Sequence, residues 1–141
     1  MTVLLWTAGI LAGLVLAWVL CWRPLVRLCA RAWGRSLFTL DGVDVRHAPA
    51  WFRLPGFRNA VATTLDRTIL CKRIVQDPRA GPADVRLLRH EWHHVREWDR
   101  RGWRYLPVYL WRLARHGYDD HPEELAADAA KEWRAGWEGG Q

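Results

Sequence analysis

Two histidines four residues apart, with a glutamate directly after the first, make the pattern H-E-x-x-H at His90, Glu91, Trp92, His93 and His94. On an α-helix, residues four apart share a face, so the imidazoles of His90 and His94 can converge on one metal ion. Glu91, one position on, can reach a water in an open coordination position and take a proton from it. That need explains this spacing in zinc hydrolases. His93 is three residues from His90, but an i, i+4 pair fits a shared ion better, so His93 is expected to face solvent or to pack.

Catalytic zinc takes three protein ligands and a water, and two histidines with a glutamate form one such set. Downstream, Glu124-Leu125-Ala126-Ala127-Asp128 reads E-x-x-A-D, which places Glu124 and Asp128 on one helix face. Glu124 is the expected third ligand. Asp128 is then the carboxylate that takes the free ring N–H of a ligand histidine, fixing its tautomer and raising its basicity. Capping alone would also favour carboxylates at Glu123 and Glu124, since they follow Pro122 in the first turn of a helix. It explains neither Asp128 nor the upstream motif.

H-E-x-x-H followed by E-x-x-A-D resembles the gluzincin class of zinc metallopeptidases, most closely the membrane-bound branch with the CAAX prenyl proteases and heat-shock membrane proteases. The resemblance is one of motifs and covers roughly residues 85–130. It implies one zinc ion held by His90, His94 and Glu124, with Glu91 as general base and a peptide or protein as substrate. In the implied chemistry zinc polarises the scissile carbonyl and its water, Glu91 removes a proton, and the resulting hydroxide attacks. The oxyanion needs a further stabiliser. Tyr118, His116 and His121 lie near the third ligand in sequence, and the sequence does not choose among them.

The elements that must position these residues can be read from pattern. Gly81-Pro82 opens a helix from about residue 83 to Arg101, stopped by Gly102. Its inward face is Leu87, Leu88, Glu91, His94, Val95 and Trp98. A second helix is expected to begin near Pro107 and end at Gly117. A third opens at Pro122, reaches Trp133 and frays at Gly136, before a loose tail at residues 138–141. Upstream, Phe38-Thr39-Leu40 and Val43-Asp44-Val45 alternate around Asp41-Gly42, a pair of strands joined by a tight turn. Residues 47–60, with Pro49, Pro55 and Gly56, read as a loop anchored by Trp51 and Phe52. Residues 68–75 read as a third strand. By resemblance to zincins it is expected to form the upper edge of the cleft and to pair with an extended substrate.

Residues 3–22 carry no charge in twenty positions and as a helix would span about 30 Å, the thickness of a hydrocarbon core. A transmembrane anchor is expected there, with Trp6, Trp18 and Trp22 suiting the interfaces. A cleaved signal peptide is disfavoured, because the run has no basic residue before it and no small-residue cleavage site after it. Arg23, Arg27, Arg31 and Arg35 follow in a basic juxtamembrane segment, residues 23–35. It is either an amphipathic helix on anionic headgroups or an ordinary basic flank. Excess positive charge on that side predicts an amino terminus outside and residues 36–137 in the cytoplasm as the catalytic domain.

The chain of 141 residues leaves room for one modest core behind such an anchor. Its net charge is +6, with nineteen Arg against two Lys, yet the Arg residues are spread among acidic ones and no nucleic-acid module is present. No nucleic acid is therefore expected as a partner. Cys21, Cys29 and Cys71 are odd in number and lack metal-ligand spacing, which fits a reducing compartment. The expected fold class is α+β, a small zincin-like domain of short strands and about three helices behind one transmembrane helix. The competing reading is a non-catalytic, membrane-anchored interaction protein with structural zinc or none.

Overall fold

In a computed structural model that describes residues 2–132, Asp41 and Gly42 both take positive φ, 43° and 76°. This backbone matches the right-handed twist of a hairpin, and Asp and Gly reach it at least cost. The turn joins β1 (Arg35–Leu40) to β2 (Val43–His47), antiparallel with Leu40 opposite Val43. A second hairpin, β3 (Ala62–Leu65) and β4 (Thr68–Cys71), docks β4 parallel to β2, pairing Val45 with Ile69. The resulting sheet has the order β1-β2-β4-β3. Together with the helices it makes the domain α+β.

This order corrects the expected place of the run at 68–75. β4 stops at Cys71, all four of its residues are buried, and it lies inside the sheet. The cleft edge is β3. The physical reason lies in β4's composition: a strand covered on both faces reads as an unbroken apolar run. Ile69 and Cys71 face one layer with Val43, Val45, Leu88 and Val95. Leu70 faces the other with Ala48 and Phe52, backed by Trp33 and Trp51. Trp51 and Phe52, the expected loop anchors, sit in a single 3-10 turn, Trp51–Arg53.

The first layer is supplied by α2 (Val85–Arg101), which buries Leu88, His90, Glu91, His94, Val95 and Trp98 on one face. It begins two residues later than Pro82 suggested and ends, as expected, at Gly102. A 3-10 turn at Gly102–Arg104 leads into α3 (Tyr105–His116). This helix starts before Pro107, because proline is tolerated in a first turn, where N–H groups have no partner within the helix. The last helix, α4 (Pro122–Ala130), ends earlier than Trp133. The expected fraying at Gly136 and the tail at 138–141 lie outside the described residues.

At the amino end α1 (Thr2–Ala32) runs unbroken through Pro24 into the basic segment. Side chains are described from residue 21 onward and at Ile10, Gly13, Leu16 and Ala17 before it. The expected anchor at residues 3–22 therefore falls largely outside the described side chains. Among the described residues no helix is long and apolar enough to cross a membrane. Two of the basic residues are turned to the protein: Arg23 Nε donates to Asp66 Oδ1 at 2.7 Å, and Arg27 Nε bonds the other oxygen of Asp66. Asp66 is fully buried in the β3–β4 turn, so these pairs fasten α1 to the hairpin that carries the cleft edge. Gly34 closes the helix at φ 63°, where an added Cβ would lie 2.0 Å from the His47 carbonyl oxygen.

Candidate metal centre

His90 and His94 lie one turn apart on the buried face of α2, and α4 crosses that face so that Glu124 meets them. His90 Nε2 is 3.3 Å from His94 Nε2 and 3.3 Å from Glu124 Oε2, and His94 Nε2 is 3.4 Å from Glu124 Oε1. All three residues are buried, at 8 %, 6 % and 8 % exposure. They are the group of His, Cys, Asp or Glu side chains that could hold a metal ion among the described residues. His93, the other histidine of the motif, is outside this group, with its Nε2 buried against the protein.

The outer nitrogen of each imidazole is engaged. His90 Nδ1 donates to Asp128 Oδ1 at 2.9 Å, which is the role the E-x-x-A-D spacing suggested for Asp128. A neutral ring that donates from Nδ1 presents a bare lone pair at Nε2. His94 Nδ1 is 2.9 Å from the hydroxyl of Tyr105, and Tyr109 donates to Glu124 Oε1 at 2.6 Å. Lone pairs and a carboxylate facing one another in a buried space repel unless a proton or a cation lies among them.

Zinc fits that space. With bonds of about 2.1 Å, a tetrahedral ion holds its ligand atoms about 3.4 Å apart; the two imidazole nitrogens stand 3.3 Å apart, each with a different oxygen of Glu124 at 3.3 or 3.4 Å, and two imidazoles with a carboxylate are a zinc-type donor set. The electrostatics point the same way. Burial pulls His90 toward its neutral form, but the hydrogen bond of Glu124 and the charges of Glu91 and Glu124 outweigh it and leave its pKa raised. Burial would raise Glu124, yet its bonds to His90 and His94 hold its carboxyl well below the usual carboxylate range. Both shifts come largely from the contacts between these side chains, which a shared proton or a cation would satisfy.

Beside the cluster opens a cavity of about 360 Å³, lined by β3, by α2 and by the inner face of α3. Glu91 faces it, and Thr64 of β3 donates to Glu91 Oε2 at 2.7 Å, steadying the carboxylate while leaving Oε1 free of that bond. The remaining walls are largely apolar: Phe57, Leu65, Trp98, Leu106 and Leu113. Of the three residues considered for the oxyanion, only Tyr118 lines this cavity. Burial, then the charge of Glu124 and a hydrogen bond to it, pushes its phenol above the usual range.

The other two are placed elsewhere. His116 is exposed at the end of α3. His121 is fully buried and caps α4: its Nδ1 accepts from the Glu123 N–H at 3.1 Å and its Nε2 donates to the Tyr109 carbonyl at 3.0 Å. With both nitrogens committed, it is a structural histidine rather than an oxyanion donor. Pattern reading missed Thr64, Tyr105 and Tyr109. Tyr105 and Tyr109 stand four apart with Leu113 on one stripe of α3, and two hydroxyls on an otherwise apolar inward stripe were the available signal. Thr64 had none, since its strand is short and threonine-rich.

No protein-family model, curated protein or solved structure matches this chain.

Proposed function

We propose that this protein is a membrane-anchored zinc metallopeptidase in which Glu91 is the general base. The observation that supports it most is the meeting of His90 Nε2 and His94 Nε2, 3.3 Å apart, with the two oxygens of the Glu124 carboxylate, one at 3.3 Å from His90 and the other at 3.4 Å from His94, while Glu91 faces the adjoining cavity. A zinc ion held by these three would supply Lewis acidity, polarising a carbonyl and making a water more acidic. The rest falls to the chain's own groups. Thr64 occupies Glu91 Oε2, so Oε1 is the atom that takes the proton from the attacking water and returns it to the leaving amine. Tyr118 donates to the oxygen on which charge develops. The free side of β3, at the sheet edge, offers backbone groups to an extended peptide.

The uncharged run at residues 3–22 supplies the anchor in this reading, and the basic residues after it keep the catalytic domain on the cytoplasmic side. Metal analysis and peptide hydrolysis by the purified full chain test the proposal. Glu91→Gln is expected to retain stoichiometric zinc and to lose about 10²- to 10⁴-fold in hydrolysis. Full activity in that variant rejects the mechanism. Zinc in the wild-type chain with no hydrolysis of any peptide would favour the anchored interaction protein instead.

A further inference from the structure

The inner stripe of α3 lines the cavity; its outer stripe and the 3-10 turn before it carry a second feature. Trp103, Leu110 and Trp111 are exposed at 37 %, 52 % and 60 %, and Pro107 and Ala114 are exposed between and beyond them. Within α3 the positions 107, 110, 111 and 114 fall on one face, and Trp103 lies just before it, in the 3-10 turn Gly102–Arg104. Large apolar side chains gathered on one exposed face mark an interaction surface rather than the scattered exposure of ordinary proteins.

Charge identifies the partner. From Arg100 to Tyr118 the chain has five Arg and no Asp or Glu. Arg100, Arg101 and Arg112 are paired with Glu97 or Glu123. Arg104 and Arg115 form no ion pair among the described residues and instead stack on the exposed tryptophans, each guanidinium 5.5 Å from the ring centroid of Trp103 or Trp111. Tryptophan rings and arginine heads side by side on an apolar face match the boundary between acyl chains and anionic headgroups. A protein partner would not require this one-signed charge.

We propose that the outer face of α3 docks on the headgroup layer of an anionic bilayer, a membrane contact separate from any made by residues 3–22. Leu110 belongs both to this exposed face and to the cavity wall. The mouth of the cavity therefore opens beside the lipid surface, within reach of segments lying in it. The proposal rests on α3 and the 3-10 turn before it, and stands whether or not the metal centre is catalytic.

The test uses the full chain reconstituted into vesicles, with Cys21→Ser and Cys29→Ser to remove the exposed thiols. An environment-sensitive fluorophore is placed at Ala114→Cys on the face, or at Thr39→Cys on β1, the opposite edge of the sheet. In phosphatidylcholine vesicles containing phosphatidylserine, nitroxide-bearing lipids are expected to quench the probe at 114 and to spare the probe at 39. Added salt should weaken that quenching, as should pure phosphatidylcholine. Trp103→Glu with Trp111→Glu should abolish it while the far-ultraviolet spectrum stays unchanged. Equal quenching at both positions, or none at 114, overturns the proposal. So does protection of the probe that depends on protein concentration and not on lipid, which would assign the face to a second copy of the chain.

Discussion

Asp128 touches no substrate in the proposed reading and is more than half exposed as a side chain, yet its bond to Nδ1 sets which nitrogen of His90 would be offered to a metal. Its Oδ1 takes the Nδ1 proton, so Nε2 is left as the lone pair turned toward His94 and Glu124. Lys131 lies 2.5 Å from the same oxygen and keeps the carboxylate ionised, its hydrogen bond being the first cause of the lowered pKa. Asp128→Ala is expected to keep the fold and to weaken zinc binding by about 10- to 100-fold, read by competition with a chelator of known affinity. Unchanged affinity would show that His90 needs no outer partner. His121 shows the opposite case at the same scale. It lies three residues from Glu124, but its hydrogen bonds build α4 rather than the site.

Among the elements, α2 places the two proposed ligands and the proposed base on a single rigid rod, and β3 faces that rod across the cavity through the Thr64 to Glu91 bond. What holds β3 in place is partly distant in sequence. Asp66, in the turn that ends it, is at φ 53°, a left-handed backbone that aspartate tolerates better than most residues. Its buried carboxylate receives Arg23 and Arg27 from α1. Asp66→Asn preserves shape and turn preference but removes the charge from both pairs. We expect a loss of about 1–3 kcal/mol in stability, within the range for hydrogen bonds to charged groups. The urea midpoint at constant m-value measures it. No change would mean that the two arginines are held in water instead.

At the scale of the molecule, many of the arginines among the described residues pair with carboxylates. Asp99 takes Arg67 at 2.8 Å and Arg23 at 2.9 Å, Asp77 takes Arg79 at 2.6 Å, and Glu97 takes Arg100 at 2.7 Å. Partial burial alone would raise Asp99 and Glu97, but their arginine bonds outweigh it and leave both below the ordinary values of 3.8 and 4.5. At Asp77 the Arg79 bond is the leading cause of a downward shift. A carboxyl with a depressed folded pKa stabilises the protein fully above its unfolded pKa, and that contribution disappears as pH falls through the folded value. Stability is therefore expected to hold from neutral pH down to about 5 and to fall below about 4. Added salt should shrink the difference, because these pairs are partly exposed. Urea midpoints across that range, at low and high salt, test it, and a midpoint that rises on acidification contradicts it.

Some of this was already determined by the residues in order. The four-residue spacing of His90 and His94, and of Glu124 and Asp128, needs only a helix to put each pair on one face. The alternation around Asp41-Gly42 and the periodic apolar face of α2 depend on local geometry in the same way. The rest was decided by contacts between segments far apart in the chain. Whether Glu124 reaches the imidazoles depends on how α4 crosses α2, and β3 becomes the cleft edge only because β4 is claimed by β2 on its other side. Arg23 and Arg27 read in sequence as part of a basic flank, and their bonds to Asp66, some forty residues away, come only from the tertiary structure. Periodicity records which side of an element is buried; it carries no information about which other element does the burying.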